Sequence, residues 1–349
     1  MALDFKTFED AIAFADDIGG PRSVLLGTGF SQAYSDKFNY GRLRDVIPAS
    51  SLNVDPVKLF DKASSSDFET VIKHLHNAAS ILQLYDNSNE TLHSLLMQDA
   101  DTVKQLLVDC LSEIHPESSF DIDPGRYEST KKFLAPFGEI FTLNYDLLLY
   151  WCSLQASIEP AIPKGDGFRS RDDTLKWETP SSLEGQQVFY LHGAMHFYQD
   201  EYDVNKLRHG GPGGKRILTQ IRDNVQSGRY PLVVTEGSQA DKEARIGNSP
   251  YLNYCHMRLS KLKGHLFIHG AALSENDQHI LEKIASSEGL NYVYVGLFGA
   301  ANDEHDKIQA AMQGLIRKQK ETRRSATDDA ELQVRYYPSE TAYIWQEES

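Results

Sequence analysis

The chain contains few cysteines: Cys110, Cys152 and Cys255 are the only three in 349 residues. No two of them lie close together, so the Cys-x-x-Cys pairs that usually begin a structural zinc site are absent. Cys110 and Cys152 fall in apolar, helix-like stretches and are interpreted as core residues, and disulfides are rare in a reducing cytoplasm. No neighbouring feature supports Cys255 as a nucleophile. We therefore expect a site without metal.

Long apolar runs and a positive net charge are also missing. No stretch approaches the roughly 18 apolar residues that a membrane-spanning helix needs. Acidic residues number 50 against 35 basic ones, and the net charge of −15 disfavours nucleic acid and anionic membranes as partners. The one basic run, at 317–324, is interpreted as a solvated helix end rather than a docking patch. The acidic, amphipathic segment 1–17 does not have the character of a secretion signal or transit peptide, so we expect a cytoplasmic protein.

Apolar periodicity predicts alternating strands and helices, which is typical of an α/β fold. Helical spacing marks residues 5–18, with Asp4 as the expected cap, and three further helices at about 250–263, 274–287 and 303–320. Short apolar runs predict strands at 23–27, 138–143, 187–193, 231–237, 265–270 and 291–297, with an edge strand at 331–337. This alternation predicts a Rossmann-like parallel sheet with helices on both faces.

The region between the first two predicted strands has a different character. Residues 55–115 carry helical patterns and no strong strand signal. We therefore predict one domain over residues 1–349, with a helical insertion at about 32–135 that could cap the edge of the sheet. The stretch 156–186 is rich in Pro, Gly, Ser and charge, and we expect a long loop there.

Three short segments follow predicted strands: GTGFS at 27–31, TLNYD at 142–146 and LHG at 191–193. The carboxyl ends of parallel strands meet at one edge of the sheet, where open α/β sheets bind ligands. A fourth segment, HGAALSEND at 269–277, follows a later strand in the same way. We therefore expect these segments to form one site, although a plain strand-turn-helix junction is the alternative for the fourth.

The glycine segment has the composition of a nucleotide-binding turn. Gly27 and Gly29 would allow backbone N–H groups to approach a diphosphate without a Cβ in the way. Ser31 could donate to a phosphate or ribose oxygen. The third glycine of G-x-G-x-x-G is replaced by Gln32, so a tight turn without a ligand is an equal alternative.

The other two segments carry the side chains that could do chemistry. Asn144 has both a donor and an acceptor for a ribose hydroxyl or a water, and Asp146 could accept N–H bonds, although a helix cap is the alternative. His192 closes its strand beside Gly193, where we expect it to be exposed at the sheet edge and suited to general-base catalysis, although a structural role is the alternative for a single histidine. His196 lies four residues further on, but Gly193 stands where a zinc protease needs Glu, so we do not predict a zinc site.

Taken in order, these segments resemble the sirtuin superfamily. The closer similarity is to the sirtuin-like NAD-hydrolysing domains of bacterial anti-phage systems, and it extends from residue 23 to about 297, with no support for the insertion. Similar proteins have a G-x-G-x-S loop, a T-x-N-[YI]-D segment, an HG pair and a late G-[YAT]-[SA]-L loop. Each motif is short, so the specificity lies in their common order.

The resemblance implies a role for each matched residue. Asn144 and His192 would be catalytic, with His192 as the base and Asn144 facing the nicotinamide ribose. The residues that would bind NAD line the diphosphate, the ribose and the adenosine half in turn: Gly27, Thr28, Gly29 and Ser31, then Asp146, then Gly270 and Ala271.

The chain also departs from the protein-deacylating sirtuins. It lacks their four-cysteine zinc module, it has QAYSDKF at 32–38 where they have Gly-Ile-Pro-x-Phe-Arg, and Leu143 replaces their Gln. These differences disfavour acyl-lysine substrates and leave NAD as the expected ligand.

The expected activity is hydrolysis of NAD to nicotinamide and ADP-ribose by a regulated effector in anti-phage defence. The expected partners are further copies of the chain or a second protein such as an ATPase or a sensor. The alternatives are an NAD- or ADP-ribose-binding sensor or scaffold without catalysis, and an ADP-ribosyl transferase.

Overall fold

The computed structural model describes most of the chain: residues 3–38, 48, 51–63, 68–86, 89–171, 174–180, 186–201, 203–210, 214–234, 239–271, 273, 277–323 and 331–347. Parts of the predicted insertion and Ser274 lie outside these ranges. No helix in the described ranges has the length and apolar character needed to cross a bilayer.

Helices and strands alternate along the chain. The helices are α1 (Phe8–Ile18), α2 (Thr28–Gln32), α3 (Pro56–Lys62), α4 (Phe68–Tyr85), α5 (Glu90–Ile114), α6 (Pro124–Leu134), α7 (Leu148–Leu154), α8 (Ile217–Gln226), α9 (Gln239–Gly247), α10 (Pro250–Leu259), α11 (Gln278–Ala285) and α12 (Asp303–Arg323). The strands are β1 (Arg22–Leu26), β2 (Glu139–Thr142), β3 (Phe168–Arg171), β4 (Thr174–Trp177), β5 (Val188–Tyr190), β6 (Gly193–Asp200), β7 (Asp203–Lys206), β8 (Pro231–Val233), β9 (Lys263–His269), β10 (Gly289–Leu297) and β11 (Gln333–Pro338).

The larger sheet has six parallel strands in the order β11-β10-β9-β1-β2-β5. Numbered by their sequence order within this sheet, the strands run 3-2-1-4-5-6 from β5 to β11. That is the order of doubly wound dinucleotide-binding folds, in which ligands bind where the strand order reverses. The reversal here lies between β1 and β9. The predicted Rossmann-like sheet is therefore confirmed, including β11 as its edge strand.

Helices cover both faces of this sheet. Leu25 of β1 pairs with Phe141 of β2 and Ile268 of β9, so these three side chains share one face. Phe141 stacks on Phe189, and Tyr254 of α10 lies against that ring on the same face. Successive side chains of a strand point to opposite faces, so Phe267 faces the other side, where α1 meets it through an edge-on contact of Phe8.

Between β1 and β2, the described residues contain helices and no strand, as predicted for the insertion. α4 and α5 pack against each other, and α5 also contacts α8. The last helix of the region, α6, returns to the sheet, where its Phe133 lies 5.0 Å from Phe8 and 4.9 Å from His269 between ring centroids. The insertion is thus anchored to the same face as α1.

The second sheet was not predicted. It contains five antiparallel strands in the order β3-β4-β7-β6-β8. Two of them, β3 and β4, fall in the stretch predicted as a loop, and their mainly exposed or half-buried residues explain why no apolar pattern marked them. β8 was predicted for the parallel sheet, but it pairs antiparallel with β6 because its apolar run fits a buried strand of either direction.

The predicted cap of α1 was also wrong. Thr7 caps this helix, accepting from the Asp10 N–H while the Asp10 carboxylate accepts from the Thr7 N–H. The Asp4 carboxylate instead accepts from the Tyr336 N–H at 2.9 Å and pairs with Arg335. It ties the start of the described chain to β11.

Candidate functional site

The structure brings the segments at 27–31, 142–146, 191–193 and 269–277 to one edge of the parallel sheet, and we refer to them as the four signature segments. Leu26 of β1 is level with Thr142 of β2 and with His269 of β9, and Thr142 is level with Tyr190 of β5. The glycine loop, the Asn-Asp segment, the His-Gly pair and Gly270 therefore follow four neighbouring strands at the same height. The segments after β1 and β9 lie on the two sides of the strand-order reversal, and the segments after β2 and β5 follow the next two strands on the β1 side.

The two glycine-containing loops on either side of the reversal are in direct backbone contact. The N–H of Gly27 donates to His269 O at 2.9 Å, and the N–H of Gly29 donates to Gly270 O at 2.9 Å. A Cβ on Gly27 would lie 2.4 Å from Gly270 O, and one on Gly29 would lie 2.6 Å from Gly270 Cα. Gly270 itself has φ of +67°. In this structure these glycines serve close loop packing, and both N–H groups are bonded within the protein.

Asn144 is held by the loop that follows β1. Its Nδ2 donates to Gly27 O at 2.8 Å and to Ser31 Oγ at 2.9 Å. Ser31 Oγ in turn donates to Asp146 Oδ2 at 2.5 Å. All three side chains are buried, and among the described residues Asn144 Oδ1 has no hydrogen-bond partner. A buried acceptor left without a partner costs roughly 1–3 kcal/mol, so this oxygen is a candidate ligand contact.

Asp146 also bonds to the start of a helix, although the N-cap of α7 is Leu147 and not Asp146. Asp146 Oδ1 accepts from the N–H of Leu148, the first residue of α7, at 2.8 Å. Both carboxylate oxygens therefore bond within the protein, one to the glycine loop through Ser31 and one to the helix. Asp146 links these two elements.

His192 lies in a buried group of histidines. Its Nε2 is 3.2 Å from Nε2 of His279 on α11, and the two rings stack with centroids 5.4 Å apart. His279 also stacks on His256 of α10, whose Nε2 lies 2.9 Å from Leu191 O. The expectation that His192 is exposed was wrong: only 7% of its surface is accessible. The chain turns at Gly193, whose φ of +73° directs it into β6.

The environment of His192 keeps its ring neutral. Burial lowers its pKa well below the ordinary value, and the nearby His279, Lys242 and His256 lower the pKa further. A neutral imidazole retains a lone pair and can accept a proton. His279 and His256 could not be recognised from the sequence, because each lies within an ordinary helical pattern with no local motif.

Asn144 and His192 lie at corresponding positions after two paired strands. They follow the paired strands β2 and β5 two residues after the level pair Thr142 and Tyr190. Their side chains have different partners, since Asn144 contacts the loop after β1 whereas His192 contacts α11. The structure therefore places them at the same sheet edge, without a bond between them.

A cavity of about 460 Å³ opens at the ends of β1, β9, β10 and β11. Four of the predicted NAD-binding residues line it: Thr28, Gly29, Gly270 and Ala271. Gly27, Ser31, Asn144, Asp146 and His192 lie outside its lining. The cavity therefore adjoins the Asn144 and His192 positions without including them.

The remaining walls of this cavity are acidic and partly aromatic. They include the carboxylates of Asp36, Glu304 and Glu340 and the exposed ring of Phe298, and the lining residues within the described part of the chain include no lysine or arginine. Carboxylates accept hydrogen bonds from ribose hydroxyls, and aromatic faces stack on bases. The lining suits a nucleoside better than a phosphate group.

The described residues contain no other obvious nucleophile or metal centre. Cys152 and Cys255 are buried, and burial raises the pKa of Cys152 to about 12 and raises that of Cys255 as well. Neither is a thiolate near neutral pH. Within the described ranges, no group of three or more His, Cys, Asp or Glu side chains could hold a metal ion.

The buried histidines predict a dependence of stability on pH. Burial lowers the pKa of His256 and His269 from 6.5 to about 4 in the folded protein. The unfolded chain binds these protons near pH 6.5, so the free energy of unfolding falls as pH drops from 6.5 towards 4. We expect a loss of about 2 kcal/mol per histidine between pH 7 and pH 5, measured by urea unfolding. A His269→Gln variant should lose less over this interval, and equal losses in both proteins would contradict this assignment.

The fold and site define a doubly wound α/β protein with a candidate nucleoside cavity where its strand order reverses. The chain belongs to the family described as a domain of unknown function, DUF4917, whose model matches residues 24–345. The match covers both sheets, the insertion and all four signature segments. A search of curated proteins finds no match to this chain.

Proposed function

We propose that this protein is an NAD+ glycohydrolase that cleaves NAD to nicotinamide and ADP-ribose. The observation that carries the proposal is the 460 Å³ cavity at the strand-order reversal, lined by Thr28, Gly29, Gly270 and Ala271. Doubly wound sheets bind dinucleotides at this position. Asn144 and His192 follow the adjacent strands, on the side of β1 away from the cavity. A dinucleotide with its adenosine in the cavity would extend along the sheet edge towards them.

The reaction needs little general-acid catalysis to release its leaving group. Nicotinamide is a cationic leaving group that departs neutral when its bond to C1′ of the ribose breaks, unlike the leaving groups of ordinary glycosides. The site must then stabilise a ribosyl cation and supply water. Asn144 would hold the water or the ribose hydroxyls through its unpartnered Oδ1.

His192 would accept the proton from the attacking water. Its Nε2 contact with Nε2 of His279 leaves Nδ1 as the nitrogen available to the site. If His192 carries its hydrogen on Nε2 and donates it to His279, Nδ1 holds the lone pair that accepts the proton. Water oxygen bonds to C1′, and the products are ADP-ribose, nicotinamide and a proton.

The test is hydrolysis of 1,N6-etheno-NAD by the purified full chain, followed by fluorescence, with nicotinamide identified by mass spectrometry. The assay is run alone and with candidate partner proteins, since a cell needs to restrain an enzyme that consumes NAD. Release of free nicotinamide and etheno-ADP-ribose would support the proposal. Label transferred to protein or nucleic acid would instead identify an ADP-ribosyl transferase.

A second candidate is a non-catalytic NAD or ADP-ribose sensor. Two observations favour it. His192 is buried and bonded to His279, and neither Asn144 nor His192 lines the cavity. A sensor would bind ADP-ribose and NAD with measurable heat in calorimetry and release no nicotinamide. An enzyme would bind both and turn over NAD.

The acidic cavity predicts a preference for NAD over NADP. A 2′-phosphate on the adenosine ribose would be repelled by Asp36, Glu304 and Glu340, and no lysine or arginine stands among the described lining residues to offset them. We expect calorimetry to show NADP binding at least about tenfold weaker than NAD, equivalent to ~1.4 kcal/mol. Glu304→Gln should narrow the difference, and the exposed Glu9→Gln outside this cavity serves as control. Equal affinities in the wild type would place the adenosine ribose elsewhere.

The proposed setting is a regulated effector of anti-phage defence in the cytoplasm. The helical insertion and self-assembly are two places where control could act. Control could also come from a partner protein, such as an ATPase or a sensor. The acidic chain favours a protein partner over nucleic acid or a membrane surface.

A further inference from the structure

We infer that Ser31 and Asp146 are positioning residues that fix the Asn144 amide with its oxygen towards the ligand. This inference rests on the proposed function, in which Asn144 contacts the substrate. It gives Ser31 and Asp146 a different role from the diphosphate and ribose contacts that the resemblance implies. The observation behind it is a chain of buried hydrogen bonds from Asp146 through Ser31 to Asn144.

The chemistry of the partners fixes the direction of each bond. The Ser31 hydroxyl donates to Asp146 Oδ2 at 2.5 Å. Its single hydrogen is then used, and Ser31 Oγ can only accept from Asn144 at 2.9 Å. The second contact of the same Asn144 atom, Gly27 O at 2.8 Å, is a carbonyl and also accepts.

Two acceptors at one end of an amide require the NH₂ group there. The orientation of Asn144 therefore follows from its partners, and Oδ1 must occupy the opposite end. Asn144 is 3% exposed, and within the described structure Oδ1 has no partner. The site consequently presents an acceptor, which selects a donor such as a ribose hydroxyl or a bound water and disfavours a phosphate oxygen.

Asp146 is the fixed end of this chain of bonds. Its other oxygen accepts from the Leu148 N–H at 2.8 Å, which attaches it to the start of α7. The orientation of the Asn144 amide is therefore held by hydrogen bonds that lead to helix α7 as well as to the glycine loop. An Asp146→Asn change keeps the shape and, with its oxygen still bonded to the Leu148 N–H, replaces the acceptor facing Ser31 with an NH₂ donor, so the Ser31 hydroxyl is freed to donate to Asn144.

The first test is independent of any reaction. In protein labelled with ¹⁵N at asparagine, the Asn144 side-chain signal is identified by its absence in Asn144→Ala. We expect its NH₂ hydrogens to exchange with water at least about tenfold more slowly than those of exposed Asn253. Asp146→Asn and Ser31→Ala should each remove most of this protection. Ser129→Ala removes a buried hydroxyl elsewhere and should leave the signal unchanged, while Ser31→Thr retains the hydroxyl and should retain the protection.

The second test uses turnover. Ser31→Ala and Asp146→Asn should lower kcat at least about tenfold with little change in KM, and neither should lower kcat further in an Asn144→Ala background. Further loss in that background would show that they act independently of the amide and would overturn the inference. An unprotected Asn144 NH₂ in the wild type would also overturn it. Protection in a protein without NAD hydrolysis would uphold the orientation and reject the proposed function instead.

Discussion

Replacing His192 with alanine should lower the rate of NAD hydrolysis about 10²–10⁴-fold, which is the usual contribution of a general base. The physical reason is that burial and neighbouring charges keep this imidazole neutral, so that in the proposed reaction it would accept the proton of the attacking water. The measurement is kcat for etheno-NAD together with the affinity for ADP-ribose. Binding should change little, because His192 does not line the nucleoside cavity.

The matched control is His265→Gln. His265 is also a buried histidine of the parallel sheet, bonded to the Tyr294 hydroxyl at 3.0 Å and to Gly19 O at 2.9 Å. It lies near the start of β9 and pairs with Arg22 at the start of β1, so it is at the opposite edge from the site. Wild-type turnover in a folded His192→Ala protein would reject the base assignment. Equal losses in both variants would indicate a general effect of removing a buried histidine.

Much of the fold could be predicted because it depends on patterns that are local in the sequence. A buried parallel strand is a short apolar run, and the alternation of such runs with helical periodicity predicts a doubly wound sheet. The gathering of Gly27, Asn144, His192 and Gly270 at one edge followed from the same pattern, since each lies one or two residues after the end of a strand. Neither step needed knowledge of contacts between distant residues.

The second sheet and the surroundings of His192 depend on contacts that no local pattern records. Strand β8 has the apolar run of a parallel strand, but β6 recruits it into the antiparallel sheet. His279 meets His192, and His256 meets His279 and Leu191 O, only because α11 and α10 pack at the end of β5. The same limit applies to the glycine loop: the sequence showed that Gly27 needs space, but not that Gly270 fills it.

A Gly27→Ala variant should lose stability and also the proposed affinity for NAD. The added Cβ would lie 2.4 Å from Gly270 O and 2.5 Å from Ala271 Cα, and both are backbone atoms that cannot rotate away. Overpacking of this kind typically costs about 1–3 kcal/mol. The displaced loop also carries Gly27 O, which accepts from Asn144 Nδ2, so the amide should lose one of its two fixed acceptors. Urea unfolding measures the first effect and calorimetry with NAD the second.

Gly247→Ala separates this effect from any general response to removing a glycine. Gly247 ends α9, and a Cβ there would meet nothing within 4 Å. Alanine at that position should leave the free energy of unfolding unchanged or raise it slightly, because it restricts the unfolded chain. If Gly27→Ala is as stable as Gly247→Ala and binds NAD normally, the two loops at the strand-order reversal can separate without cost. In that case the contact between these loops does not position the glycine loop. Neither the orientation of Asn144 nor the shape of the candidate cavity would then rest on it.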